Sequence, residues 1–120
     1  MVRSYKWGNI MDLQLEIENK LRQLDKSVKL LRTTGSQYAK SYSEYRVALS
    51  KKLLELKDEG MAVTLAYDVA RGIPEIAKLK FNEISDEAIY LANKESINAI
   101  KLEIKILEEQ IKREYNLKEE

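Results

Sequence analysis

Every long apolar stretch of this chain repeats at helical spacing, and little interrupts it: 120 residues contain four glycines and one proline. Leu13, Ile17, Leu21, Leu24, Val28 and Leu31 step by three or four positions. So do Tyr38, Tyr42, Tyr45, Leu49, Leu53 and Leu56, and again Ile97, Ile100, Ile104, Leu107 and Ile111. That spacing sets each group on one helix face. The expected fold is all-α: an antiparallel helical hairpin plus a long C-terminal helix, packed as a coiled-coil-like bundle in one domain over 1–120.

Punctuation residues set the expected boundaries. Residues 1–9 read as an arm whose Tyr5 and Trp7 cover the protein's own core or dock on a partner. A first helix is expected over 10–33. Gly35 then takes a left-handed turn and Ser36 caps a second helix over 36–59, closed by Gly60. Residues 60–73 read as an irregular connection, with Asp68–Gly72 as a short helix ending at Gly72. Pro74 fits the first turn of the last helix, 74–115, where its missing N–H costs nothing. Within that helix the stripe Ile84, Ala88, Leu91 changes phase before Ile97. This marks a change of winding or of partner helix, with Asn82–Asp86 the favoured break and Ser85 its cap. Unbroken, it would be about 60 Å long. The two helices before it are too short to cover it, so a homo-oligomer is expected.

Composition narrows the class. Charged residues make up 34% and hydrophobic residues 44%, which fits neither a disordered tail nor a membrane protein. No apolar run approaches the roughly 18 residues of a membrane span, and the N-terminus lacks an apolar signal-peptide core. Without cysteine there is no disulfide framework, which fits the cytoplasm, a host cell's if the protein is phage-encoded. Residues 1–35 carry seven basic and four acidic side chains, 36–60 five and four, and 61–120 nine and twelve. That mild gradient suits a basic half packed on an acidic half better than a dedicated duplex-DNA binder.

Catalytic chemistry has little to work with. Histidine and cysteine are absent, so the usual nucleophile–base pairings fail. Ser50 and Lys51 are neighbours that do not face each other on a helix. Asp58, Glu59, Asp68 and Glu75, and separately Glu83, Asp86 and Glu87, are carboxylate groups without the spacing of a calcium loop or a nuclease signature. There is no glycine-rich phosphate loop. No enzyme activity, no cofactor and no metal is expected.

Binding is the better prospect. The second helix carries Tyr38, Lys40, Tyr42, Tyr45, Arg46, Lys51 and Lys52. Tyrosines stack on unpaired bases and cations neutralise phosphates, yet these tyrosines fall in phase with leucines and so belong to a core or seam. The irregular connection places Thr64, Asp68 and Arg71 near a bundle end, with Arg46, Lys51, Lys52, Lys78 and Lys80 around them. Such a spot suits an anion or an acidic partner surface; alternatively Asp68 and Arg71 brace the turn.

Four segments in this region occur in order: Tyr-Arg-x-Ala-Leu-x-Lys-Lys at 45–52, Glu-Gly-x-x-Val-Thr at 59–64, Asp-x-Ala-Arg-Gly at 68–72 and Ala-x-Leu-Lys at 77–80. With the generic helix of 99–108, this pattern resembles small uncharacterised helical proteins carried by phages and prophages of low-GC Gram-positive bacteria. The resemblance covers about residues 45–115. It implies no defined activity. It implies phage context, where such proteins serve DNA replication or recombination or blunt host functions and defences. The expected function is a non-enzymatic binding protein that engages a host or phage macromolecule as a regulator or inhibitor. A nucleic-acid accessory protein and an oligomer sequestering an anionic nucleotide are the alternatives.

Overall fold

The computed structural model describes the backbone of residues 6–119 and the side chains of 10–117. Three helices follow in order: α1 (Lys6–Asp58), α2 (Val63–Arg71) and α3 (Pro74–Glu119). Among the described residues there is no strand. The all-α class and the long C-terminal helix are as expected from the periodicity, and that helix packs on the first.

The hairpin has different arms from those expected. Residues 10–33 and 36–59 are one helix, and no turn interrupts Thr33–Ser36. The antiparallel pairing is instead between α1 and α3. Gly35 is helical, and the ring of Tyr90 on α3 comes so close that a Cβ there would meet Tyr90 Cε1 at 3.3 Å. The glycine serves close helix packing rather than a turn. Lys6–Asn9, expected in an arm, form the first turn of α1; Tyr5 and the side chain of Trp7 lie outside the described residues.

Gly60 ends α1 with φ of 90°. The Met61 N–H reaches back to the Leu56 carbonyl at 3.1 Å and the Gly60 N–H to Lys57 at 2.9 Å. This is a Schellman closure, completed by Met61 packing on the Leu56 cluster. The connection is more regular than expected: Val63–Arg71 is helical throughout, and Gly72 closes it in ordinary right-handed geometry. Pro74 opens α3, which continues through Asn82–Asp86 without a break.

The chain divides into two compact units. One is formed by the chain up to Leu31 together with Asn93 onward, the other by Arg32–Ala92. In the first, the less exposed positions of α1 are Ile10, Leu13, Ile17, Lys20, Leu24, Ser27 and Leu31. On α3 they include Asn93, Ile97, Ile100, Ile104, Leu107, Ile111 and Glu114. Steps of three and four alternate strictly, which is the seven-residue repeat of a coiled-coil seam. Leu21 and Val28, expected on this face, are half exposed beside it. The buried Asn93 amide donates to the Ser27 carbonyl at 3.1 Å, and Lys20 pairs with Glu103 at 3.2 Å.

The second unit has a mixed seam. Thr34, Tyr38, Ser41, Tyr45, Ala48 and Lys52 of α1 face Ile76, Leu79, Glu83, Asp86 and Tyr90 of α3, again at alternating three and four. Leu56, Ala66 and Ala70, with Leu49, Leu53 and Met61, form an apolar cluster where α2 lies against α1.

Candidate functional site

The tyrosines of α1 divide between seam and surface. Tyr45 is buried, Tyr38 half buried and Tyr42 exposed. The Tyr38 and Tyr90 rings lie 6.0 Å apart, tilted by 31°. The Tyr38 hydroxyl donates to Glu87 Oε2 at 3.1 Å. That hydrogen bond, with burial and the negative charge of Glu87 and Glu83, pushes the phenol above its ordinary range. One residue along the seam, Ser41 donates its hydroxyl to Asp86, and Gln37 donates to the same carboxylate at 3.2 Å. Glu83 is buried with Lys80 at 3.3 Å. Among the described residues, no three carboxylates converge as metal ligands would.

The structure therefore turns the carboxylates of Glu83, Asp86 and Glu87 inward, where hydroxyls, an amide and an ammonium hold them. The stripe Ile84, Ala88, Leu91, which the spacing assigned to the packed face, looks outward. Its phase difference from Ile97 is neither a change of winding nor a change of partner helix. The seam keeps its phase through Glu83, Asp86, Tyr90 and Asn93 and becomes polar.

The sequence-derived candidates all lie in the second unit, but most are partnered locally. The Arg46 guanidinium sits 5.8 Å from the centre of the exposed Tyr42 ring. Arg71 lies 5.4 Å from the Tyr67 ring, donates to the Tyr67 carbonyl at 3.4 Å and meets Asp68 at 3.8 Å, bracing its own helix end. Lys80 stands 4.8 Å from the Tyr45 ring as well as beside Glu83. Lys52 pairs with Glu55 at 2.9 Å, and that hydrogen bond and charge raise its ammonium above the usual lysine range. Thr64 and Lys78 are exposed. Lys51 and Lys52 line one groove of about 400 Å3 with Ile73 and Ile76, but Glu55 and Glu75 line it too. Its two cations thus face two carboxylates, which suits a mixed polar surface better than a polyanion.

The feature not legible beforehand is an apolar groove of about 350 Å3 between α1 and α2, lined by Ser50, Leu53, Leu54, Lys57, Val63, Ala66 and Tyr67. It exists because α2 turns only Ala66 and Ala70 fully inward and leaves Val63, Leu65, Tyr67 and Val69 exposed. Small inward residues bring the helix close to α1, and larger neighbours form the rim. The sequence carried a signal for this in 63–70, where the alanines recur at i, i+4 and bulkier apolar residues surround them.

Compared with protein-family models, curated proteins and solved structures, the chain finds no match. Among the described residues, no helix is long and apolar enough to cross a membrane.

Proposed function

We propose that this chain is a non-enzymatic binding protein that engages a host or phage macromolecule in the cytoplasm, as a regulator or inhibitor. The carrying observation is the groove between α1 and α2: open, apolar in its lining and rimmed by exposed Leu54, Val63 and Tyr67. Aromatic and aliphatic side chains presented this way on rigid helices are the usual anchors of a protein partner. Arg71, held against Tyr67, and the nearby cations supply the polar rim. Self-association provides the rigid platform. The phage setting rests on the resemblance of residues 45–115.

A second reading has its own observation. Arg46 lies over the exposed ring of Tyr42, a pairing that also stacks on unpaired bases. The chain as regulator or inhibitor should capture one partner protein that is lost with Leu54→Glu and with Arg46→Ala/Arg71→Ala, helicity being unchanged in both. Light scattering coupled to size exclusion, with and without a short single-stranded DNA, separates the readings. A mass that ignores DNA favours the protein-directed function. A mass that grows with DNA, and binding that weakens steeply with salt, transfers the assignment to Tyr42 and Arg46.

A further inference from the structure

The charges in the last turns of α1 are sorted between two sides of the helix. Arg46, Ser50, Leu53 and Lys57 step by four, three and four and share one face. Ser50, Leu53 and Lys57 line the groove against α2, and among the described residues Lys57 is the one charged side chain in its lining. The carboxylates of this part of α1 stand elsewhere. Glu44 lines a groove with Leu79 of α3, and Glu55 lines another with Ile73 and Ile76; Lys51 belongs to both and Lys52 to the second. There cations and carboxylates offset each other. On the α2 side the cations stand without that balance: among the described residues neither Arg46 nor Lys57 makes an ion pair. Asp58 is turned about 100° away from Lys57 around the helix. Asp68 lies across α2 from the inward Ala66 and Ala70, and it meets Arg71 at 3.8 Å with both side chains more than half exposed.

The positions of these cations describe the occupant. The chain reverses between α1 and α2, so Val63 stands at the Lys57 end of the groove and Tyr67 toward Ser50. Arg46 comes one turn before Ser50 and Arg71 one turn after Tyr67, so both arginines belong to the opposite end. From Ser50 to Lys57 the α1 wall spans two turns, about 10 Å. A helix laid in a groove presents anchors at i, i+4 and i+7 over the same length. From this we infer that the groove takes an amphipathic helix of a partner protein whose apolar anchors are flanked by acidic residues. Leu53, Leu54, Val63 and Tyr67 receive the anchors. Lys57 at one end, and Arg46 and Arg71 at the other, meet the carboxylates and set which helices are accepted. A phosphate backbone fits this surface less well. Arg46 and Lys57 stand about 16 Å apart along α1 with an apolar stretch between them, whereas a nucleic-acid strand calls for a continuous cationic track. The inference rests on the groove as the docking surface proposed above and adds the chemistry of its occupant.

Fluorescence anisotropy on the full chain tests this with labelled helical peptides of one length. One carries leucines at i, i+4 and i+7 flanked by glutamates. Another has the same leucines flanked by lysines, and the last keeps the glutamates but has serine for each leucine. The glutamate-flanked leucine peptide should bind about tenfold more tightly than its lysine counterpart, because few-fold gains at exposed ion pairs multiply over the cations. Added salt should shrink that ratio. Leu54→Glu should abolish its binding, and Arg46→Glu/Lys57→Glu should reverse the preference. All three side chains are exposed, so these variants leave the packed cluster intact. Equal binding of both leucine peptides, lost with Leu54→Glu, overturns the acidic occupant and leaves the groove as a docking surface. A serine peptide that binds as well as the leucine one overturns the inference in favour of plain polyanion attraction. If neither leucine peptide binds, or if Leu54→Glu changes nothing, the inference and the groove reading fall together.

Discussion

Two residues of the second unit make claims that substitution can test, one polar and one of packing. Tyr38 donates its hydroxyl to Glu87, and its phenol is raised above the ordinary value of 10.0. A raised folded-state value means that the neutral phenol is favoured by folding. Its contribution is complete below the unfolded value and is lost as pH climbs through the folded one. Thermal unfolding of wild type and Tyr38→Phe should therefore differ by a constant amount from neutrality to pH about 9, and the wild-type advantage should shrink above that. A difference that persists undiminished into strong alkali would remove the hydroxyl–Glu87 bond as its source. Gly35 is the other residue. In a continuous helix, Gly35→Ala gains about 1 kcal/mol of helix propensity, less the cost of moving the half-buried Tyr90 ring by a few tenths of an ångström. The net expectation is a small rise in thermal midpoint. A glycine in a left-handed turn would give a fall instead.

At the scale of elements, what was legible depended on whether one residue or a whole helix decided the outcome. Gly60 and Pro74 mark real ends because each encodes its geometry alone: a positive φ, and a first-turn position without an N–H. Thr33–Ser36 misled because glycine signals both a turn and a close approach, and only the position of Tyr90 distinguishes them. The inward face of α3 misled for a different reason. Apolar spacing alone places Ile84, Ala88 and Leu91 inside. Ile76 and Leu79 before them, and Ile97 and Ile100 after them, however, fix the phase of an uninterrupted helix. No break exists to absorb a change of phase, so Glu83 and Asp86 take the seam and find partners there. The candidate cations were legible as a group in one unit, but their local pairing with Tyr42, Tyr67, Tyr45 and Glu55 was not. The seam itself makes a quantitative claim. Ile100→Ala, at a buried seam position, should cost about 2–4 kcal/mol, whereas Leu102→Ala, two residues on and 59% exposed, should stay within about 0.5 kcal/mol. Denaturant unfolding of the two variants measures the contrast, and equal costs would place the seam on the wrong face.

For the whole molecule, the decisive quantity is how little one chain buries. Among the described residues, the only apolar side chains wholly removed from solvent are Ala66 and Ala70, and no large side chain is fully buried. Seam residues such as Ile97 and Leu107 retain a few per cent of their surface, and stretches of the seam in the second unit are polar. Hydrophobic burial scales with area removed from water, so the self-association proposed for this chain would add to its stability. Stability coupled to association depends on protein concentration. Each tenfold dilution removes about 1.4 kcal/mol from a dimer, which for a pair of chains this size lowers the thermal midpoint by roughly 3–6 °C. Circular dichroism melts over a dilution series should show that slope. A wild-type midpoint independent of concentration would mean that the α1–α3 pairing and the α2 cluster hold the fold by themselves, and would remove the self-association reading.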